Sequence, residues 1–461
     1  MSRRKLKTQR RKSPPKSVEQ ATLPTLQVLN PHAAGIDVHS DNHVVCVGPD
    51  QVETFGAYTA DLQAIADHLR QAGVTTVVLE STGVYWIPLF EHLETQGFEC
   101  QLIEPSQLHG CGARPKTDVR DCQWMQRLHT YGLLKPSFRP PESVRALRAY
   151  HRQRQTLLRY GAMHVQHMQK ALEQMNVKLT EVLSDITGVS GLRIIEAILG
   201  GERNPHTLAA LADPQCAKSR AEFALALQGL WQPEHLFELQ QAHALYQAHR
   251  RLIAECDQKL EAELTSQPNR AGDKPLPNKP RRRTKNRVQF EATNELFRAL
   301  GVDLTEIEGI DVGTALVILA EIGVDVSRFP TEQHFASWLG LCPHTSRSNQ
   351  REKKRSPRKS ANRVKQALKM CAQAVGRTNT PLGMFYRRIK SRIGGRGACT
   401  ATAHKLARLI YRMLKYGRDY VKEGMDTYAA KLRAQAERSL RRKAAELGYD
   451  LTPRAAGPAN N

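Results

Sequence analysis

The apolar positions of this chain change period along its length, and each change marks a different part. From about Pro31, the short runs AAGID, NHVVCVG and QVETFGAY alternate or stay apolar as strands do. DLQAIADHLRQAG then repeats its apolar residues at helical spacing, and TTVVLE predicts a buried strand. WIPLFEHLETQG predicts a helix, FECQLIE a strand, and the stretch from Thr117 to about Tyr131 a further helix. Strands and helices interleaved in this order predict a mixed α/β domain over residues 31–137.

PSFRPPES interrupts the pattern, and a helical region follows over residues 138–265. Leu158, Gly161, Val165, Met168, Leu172 and Met175 alternate spacings of three and four, which is a heptad seam in need of a partner. A second stripe, Leu239, Ala242, Tyr246, Ile253, Cys256 and Leu260, offers one, either as an antiparallel coiled-coil hairpin or between chains. Packing is the first role of these helices, and Arg152, Arg154 and Arg159 are secondary candidates to touch nucleic acid. A Pro-rich basic linker spans 266–289, a mostly α-helical C-terminal domain 290–425, and a helical or disordered tail 426–461.

DITGVSGLRIIEAILGGERNP and EIEGIDVGTALVILAEIGVDVSRFP resemble one another and suggest an internal duplication. The second predicts a helix-hairpin-helix-like turn, its second helix beginning at Thr314, with Gly309 and Gly313 letting the backbone approach a DNA phosphate. An ordinary αα-turn is the alternative.

Charge decides the partner class. The chain has 68 Lys and Arg against 45 Asp and Glu, a formal +23, and so calls for a polyanion. Nucleic acid is favoured over a membrane, because no apolar run of about 18 residues occurs and the N-terminus lacks an apolar leader core. The expected location is the cytoplasm, at the nucleoid of a prokaryote. Nine scattered cysteines without a C-x-x-C pair indicate reduced thiols, neither a disulfide framework nor a cysteine zinc site. Residues 1–30 form a basic arm expected to stay disordered until it meets phosphate, and SRSNQREKKRSPRKSANRVK carries nine Lys or Arg against one Glu.

Against this background the acids of the α/β domain stand out. Asp37 and Glu80 each fall at the C-terminal end of a predicted strand, and Asp118 and Asp121 share one face of one predicted helix. Helix capping by Thr117 and favourable placement in a first turn explain the pair alone. The set of four needs more: converging carboxylates repel unless a hard cation, Mg²⁺ or Mn²⁺, lies among them. Arg114, Lys116 and Arg120 would draw a phosphate to such a site.

GIDVHSDNHV, LESTGVYW and ARPKTDVRDCQW resemble the RuvC-like, RNase H-like domain of the DEDD insertion-sequence transposases, the bridge-RNA-guided serine recombinases. The resemblance runs from about residue 31 to 420, and all four acids of that family's motif have a counterpart: Asp37, Glu80, Asp118 and Asp121. The family's C-terminal serine falls in GLCPHTSRSNQ on Ser348, with Ser346 as the fallback. Arg347 replaces a usual serine and Asn349 a usual glycine, although Asn also tolerates a left-handed backbone. The resemblance implies a transposase that joins Ser348 covalently to DNA with Mg²⁺ assistance. It also implies donor and target DNA, a structured guide RNA, and homodimers assembling to homotetramers; the coiled region and linker between the acids and the serine leave open a site assembled between protomers.

Arg347, Arg351, Lys353, Lys354, Arg355, Arg358, Lys359 and Arg363 are the candidate phosphate contacts beside the serine. The competing expectations are a RuvC-like junction nuclease with no covalent intermediate, and a basic nucleic-acid-binding protein that is not an enzyme.

Overall fold

The computed structural model describes residues 26–48, 50–108, 117–277, 285–342, 344–348, 351–355 and 362–452, and the chain divides after Arg139 into two compact units. The first unit is a five-stranded sheet of order β3-β2-β1-β4-β5. Its strands are β1 (Ala33–Val38), β2 (Asn42–Gly48), β3 (Gln51–Gly56), β4 (Thr76–Glu80) and β5 (Glu99–Ile103). The first three run antiparallel as a meander, while β4 and β5 lie parallel to β1. The helices are α1 (Thr59–Gln71), α2 (Trp86–Thr95) and α3 (Asp118–Thr130). This mixed sheet with its helices fits the RNase H-like expectation.

Strand alternation sorts the helices between the two faces. Ala34, Ile36 and Val38 with Val77 and Leu79 form one core with Leu62, Ile65 and Leu69 of α1 and Leu89 and Leu93 of α2. Val78 and Ile103 meet Met125 and Leu128 of α3 in a second, and Cys122 of α3 packs with Val44 and Cys46 in a third. Gly35 lies under α3, and its missing side chain is what admits the helix: a Cβ there would stand 2.7 Å from the Gln126 backbone nitrogen and 2.9 Å from the Cys122 carbonyl oxygen.

Among its described residues the second unit is helical apart from one hairpin and its connecting loops. Its helices begin with α4 (Arg145–Gln174), α5 (Leu179–Val182), α6 (Val189–Leu199), α7 (Pro205–Ala210), α8 (Arg220–Ala226) and α9 (Pro233–Thr265). They continue with α10 (Ala292–Leu300), α11 (Val312–Ile322), α12 (Glu332–Trp338), α13 (Arg363–Val375), α14 (Pro381–Tyr416) and α15 (Arg418–Glu446), the last running into the expected tail. The two heptad helices, α4 and α9, pair antiparallel within the chain: Arg154 meets Asp257, and Gly161 lies beside His249.

The seam differs in phase from the sequence expectation. Leu157 is buried where Leu158 is half-buried, and Asp257 is buried where Cys256 is half-buried. An acid enters the seam because Arg154 faces it, with Nε 2.5 Å from Asp257 Oδ1 and another guanidinium nitrogen donating to the Asn286 carbonyl at 3.0 Å. Arg154 is therefore a packing residue and not a nucleic-acid contact, and Arg152 ties α4 to Glu321 of α11.

One further expectation is corrected. Helix α11 begins at Val312, not Thr314, because the Asp311 carboxylate accepts from the Thr314 backbone N–H at 2.8 Å and from its hydroxyl at 2.6 Å. The two similar glycine segments also differ in backbone: Gly188 is extended with φ −73° whereas Gly309 has φ +85°. The C-terminal domain is mostly helical as expected, and its basic stretch contains one short antiparallel hairpin, β6 (His344–Ser348) with β7 (Arg351–Arg355).

Candidate metal centre

Register brings the two strand-end acids together. Ile36 pairs with Leu79 in the parallel β1–β4 ladder, so Asp37 and Glu80 occupy the next rung at the same edge of the sheet. Asp37 points to the α3 side with Gly35, since i and i+2 share a face. Helix α3 starts there, with the Thr117 hydroxyl accepting from the Arg120 N–H at 3.4 Å and both Asp118 and Asp121 in its first turn. The close approach of α3 over Gly35 thus carries two carboxylates to the ends of β1 and β4.

Electrostatics registers the convergence. Asp37 is only 7 % exposed, and burial raises its carboxyl above the ordinary range. His39 opposes that rise, while Glu80, Asp118 and Asp121 each add to it, so one buried carboxyl senses all three partners. The Thr82 hydroxyl holds one Glu80 oxygen at 3.0 Å.

A participant absent from the predicted set is His39. Its Nε2 lies 3.4 Å from Asp37 Oδ2 and 3.7 Å from Asp118 Oδ2, is shielded from solvent and makes no hydrogen bond. Asp37, His39 and Asp118 present donor atoms all within 4.8 Å of one another. The sequence signal for it is the D-x-H spacing, which places both side chains on one face of an extended segment. Asp37, Asp118 and the His39 imidazole nitrogen form a donor set that fits a divalent cation, and Glu80 and Asp121 lie near enough to act on the Asp37 charge without joining that cluster.

The other predicted residues distribute as follows. Arg120 is exposed on α3. Arg114, Lys116, Asn349, Arg358 and Lys359 lie outside the described residues, as do the side chains of Ser346, Arg347, Ser348, Arg351, Lys353, Lys354 and Arg355. The backbone places Ser348 last in β6, paired across the hairpin with Arg351. Arg363 reaches toward buried Glu321 at 3.8 Å, where Arg148 and Arg152 also converge. Gly309 has a packing reason for its residue type, because a Cβ there would stand 2.1 Å from Val375 Cγ2 of α13. Gly313 sits in the first turn of α11, where the Asp311 carboxylate already caps the helix. Among the described residues no helix is long and apolar enough to cross a membrane.

Comparison with known families agrees with this layout. A transposase model of the DEDD, IS110 type matches residues 34–177, which include Asp37, Glu80, Asp118 and Asp121. A second model, described as the transposase IS116/IS110/IS902 family, matches residues 303–387, which include Gly309, Gly313 and Ser348. No curated protein matches the chain.

Proposed function

The chain belongs to the IS110-type DEDD transposases, enzymes that act on DNA, and from that premise we propose that it cuts and rejoins the strands of an insertion sequence through a covalent link to Ser348. Asp37, Glu80, Asp118 and Asp121 would hold Mg²⁺ or Mn²⁺, with His39 beside them. The observation that carries this is the setting of Asp37, a carboxyl raised first by burial and then by three neighbouring acids, and faced by an imidazole nitrogen without a hydrogen bond. A bound cation supplies polarisation of the phosphate and stabilisation of charge on the departing oxygen.

The serine step conserves bond energy. Ser348 Oγ attacks the phosphorus and loses its proton; the Oγ–P bond forms as the P–O3′ bond breaks, and O3′ leaves with the electron pair and takes up a proton. Attack by a different 3′ hydroxyl reverses the exchange and reseals the strand with no outside energy source. Thr82 orients Glu80 through its hydroxyl, and Arg120 stands exposed on α3 to draw in phosphate.

Guidance by a structured RNA is part of the proposal, supported by the tract with nine Lys or Arg against one Glu and by the basic arm. The protein would grip backbone and shape while base pairing selects the DNA. Assembly is proposed as dimers pairing into tetramers, with donor and target DNA bound together and the serine of one protomer serving the acids of another.

The test is a denaturing gel of full-length protein with element-end DNA and Mg²⁺, followed by mass spectrometry of any adduct. A covalent species on Ser348, absent from Ser348→Ala, is expected. A Ser348→Ala protein that cleaves normally would turn the assignment to a junction nuclease, and an Asp121→Asn protein with full activity would remove the metal role. Sequencing of RNA that copurifies with the protein should return one structured species; a random sample would end the guided version.

A further inference from the structure

A cavity of about 1330 Å³ opens beside the bend in α14, far larger in volume than the ~300 Å³ at the small end of ligand pockets. The bend is at Gly394, whose φ of 78° and ψ of 171° are open to glycine and costly for other residues. Phe385, Tyr386 and Arg388 line the cavity from before the bend, Lys405, Arg408 and Arg412 from after it, and Leu341 and Cys342 from the segment leading into the Ser348 hairpin.

The lining has a definite chemistry. Among the described residues the cavity is lined by seven Lys or Arg side chains and by no Asp or Glu. Glu332 pairs with Arg408 and Arg412 and does not line the cavity. Lys405 Nζ lies 4.8 Å from the centroid of the Phe385 ring and the Arg388 guanidinium 5.8 Å from it, so flat apolar surface and cationic groups adjoin. Burial first, then Arg388, Arg408 and Arg412, bring the Lys405 ammonium down to about 8, the mark of crowded positive charge that an anion would relieve.

We propose that this cavity binds an unstacked nucleotide of a nucleic-acid strand, its base against Phe385 and Tyr386 and its phosphate at Lys405 and Arg388. Charge complementarity selects a polyanion, and the aromatic wall of the cavity selects an exposed base over duplex backbone, since bases reach such walls only when splayed out of a helix. The inference rests on the transposase reading only for its class of partner. Leu341 and Cys342 put the cavity at the root of the β6–β7 hairpin, whose opposite end carries Ser348.

The experiment uses the full chain and fluorescence anisotropy with short oligouridylate and oligothymidylate, each alongside the same strand carrying abasic sites. Phe385→Ala should weaken the base-bearing strand roughly tenfold and leave the abasic strand unchanged, as loss of one stacking platform requires. Gly395→Phe is the second variant: Gly395 lines the cavity with no atom within 4 Å of its Cβ position, so the substitution fills space without removing charge or packing, and it should weaken the base-bearing strand to a similar degree. Preference for uridylate assigns the pocket to RNA, and preference for thymidylate or equal binding to a DNA strand. Wild-type affinity in both variants overturns the pocket while an adduct on Ser348 still stands. Absence of binding to every strand overturns the pocket and the nucleic-acid function together.

Discussion

Gly35 of β1 touches the backbone of α3 at Gln126, with 2.7 Å left for any Cβ. Gly35→Ala therefore has to lift the N-terminal part of α3, because the clash is with backbone and no side chain can turn aside. Overpacking of this kind costs about 1–3 kcal/mol. The larger effect is expected at the acids: moving Asp118 and Asp121 away from Asp37 should weaken Mn²⁺ binding more than tenfold, in calorimetric titration of a variant that still melts cooperatively. Unchanged Mn²⁺ affinity would disconnect the helix approach from the metal centre.

As a ligand, His39 would supply a nitrogen donor beside the carboxylates of Asp37 and Asp118. Imidazole suits transition ions, whereas Mg²⁺ prefers oxygen ligands and retains its waters. Replacing His39 with Ala should reduce the thermal stabilisation given by Mn²⁺ and leave that given by Mg²⁺ nearly intact. Equal losses with both ions would make His39 a positioning residue for Asp37 and Asp118 and not a ligand. Asp37→Asn makes the complementary case: relief of a buried, crowded carboxylate should raise the melting temperature of the metal-free protein while abolishing the response to either ion.

Sequence patterning revealed the first unit almost element by element, because its central strands β1, β2 and β4 are short, strongly apolar and bounded by turns, and the ends of β1 and β4 carry acids. It also showed two long helices with facing stripes. What it missed involves pairs distant in the chain. The phase of the α4–α9 seam depends on Arg154 finding Asp257, which an apolar count along one helix passes over. The β6–β7 hairpin lies in a tract so dense in charge that its alternation carries no hydrophobic signal. His39 was hidden because it completes the site by geometry, next to an acid that already had a reason to be there.

His151 makes stability depend on pH. It is 2 % exposed on α4, with Arg152, Arg154 and Arg363 among its neighbours and Glu321 as the opposing acid. Burial chiefly, with those arginines, brings the imidazole from 6.5 down to about 4. The unfolded chain therefore binds a proton that the folded chain refuses, so this contribution is complete above pH 6.5 and is lost as pH falls toward 4. The loss reaches roughly 3 kcal/mol at 1.36 kcal/mol per unit. Urea melts across that window should show a shallower fall for His151→Leu than for the parent; identical slopes would assign the acid sensitivity to other groups.

Arg154 and Asp257 form the charged rung of the α4–α9 seam, each buried and bidentately engaged, with Gln289 N–H donating to the acid at 3.2 Å. Removing one member leaves an ion in an apolar seam, and Arg154→Met or Asp257→Leu alone should cost about 3–5 kcal/mol. Removing both takes away the stranded charge along with the attraction, so the double variant should recover most of that loss. Denaturant melts of the single and double variants, treated as a double-mutant cycle, measure the coupling directly. Additive losses would mean that the two side chains act separately and that the seam keeps its register without them; a coupling of several kcal/mol would make the pair the element that sets how the long helices align.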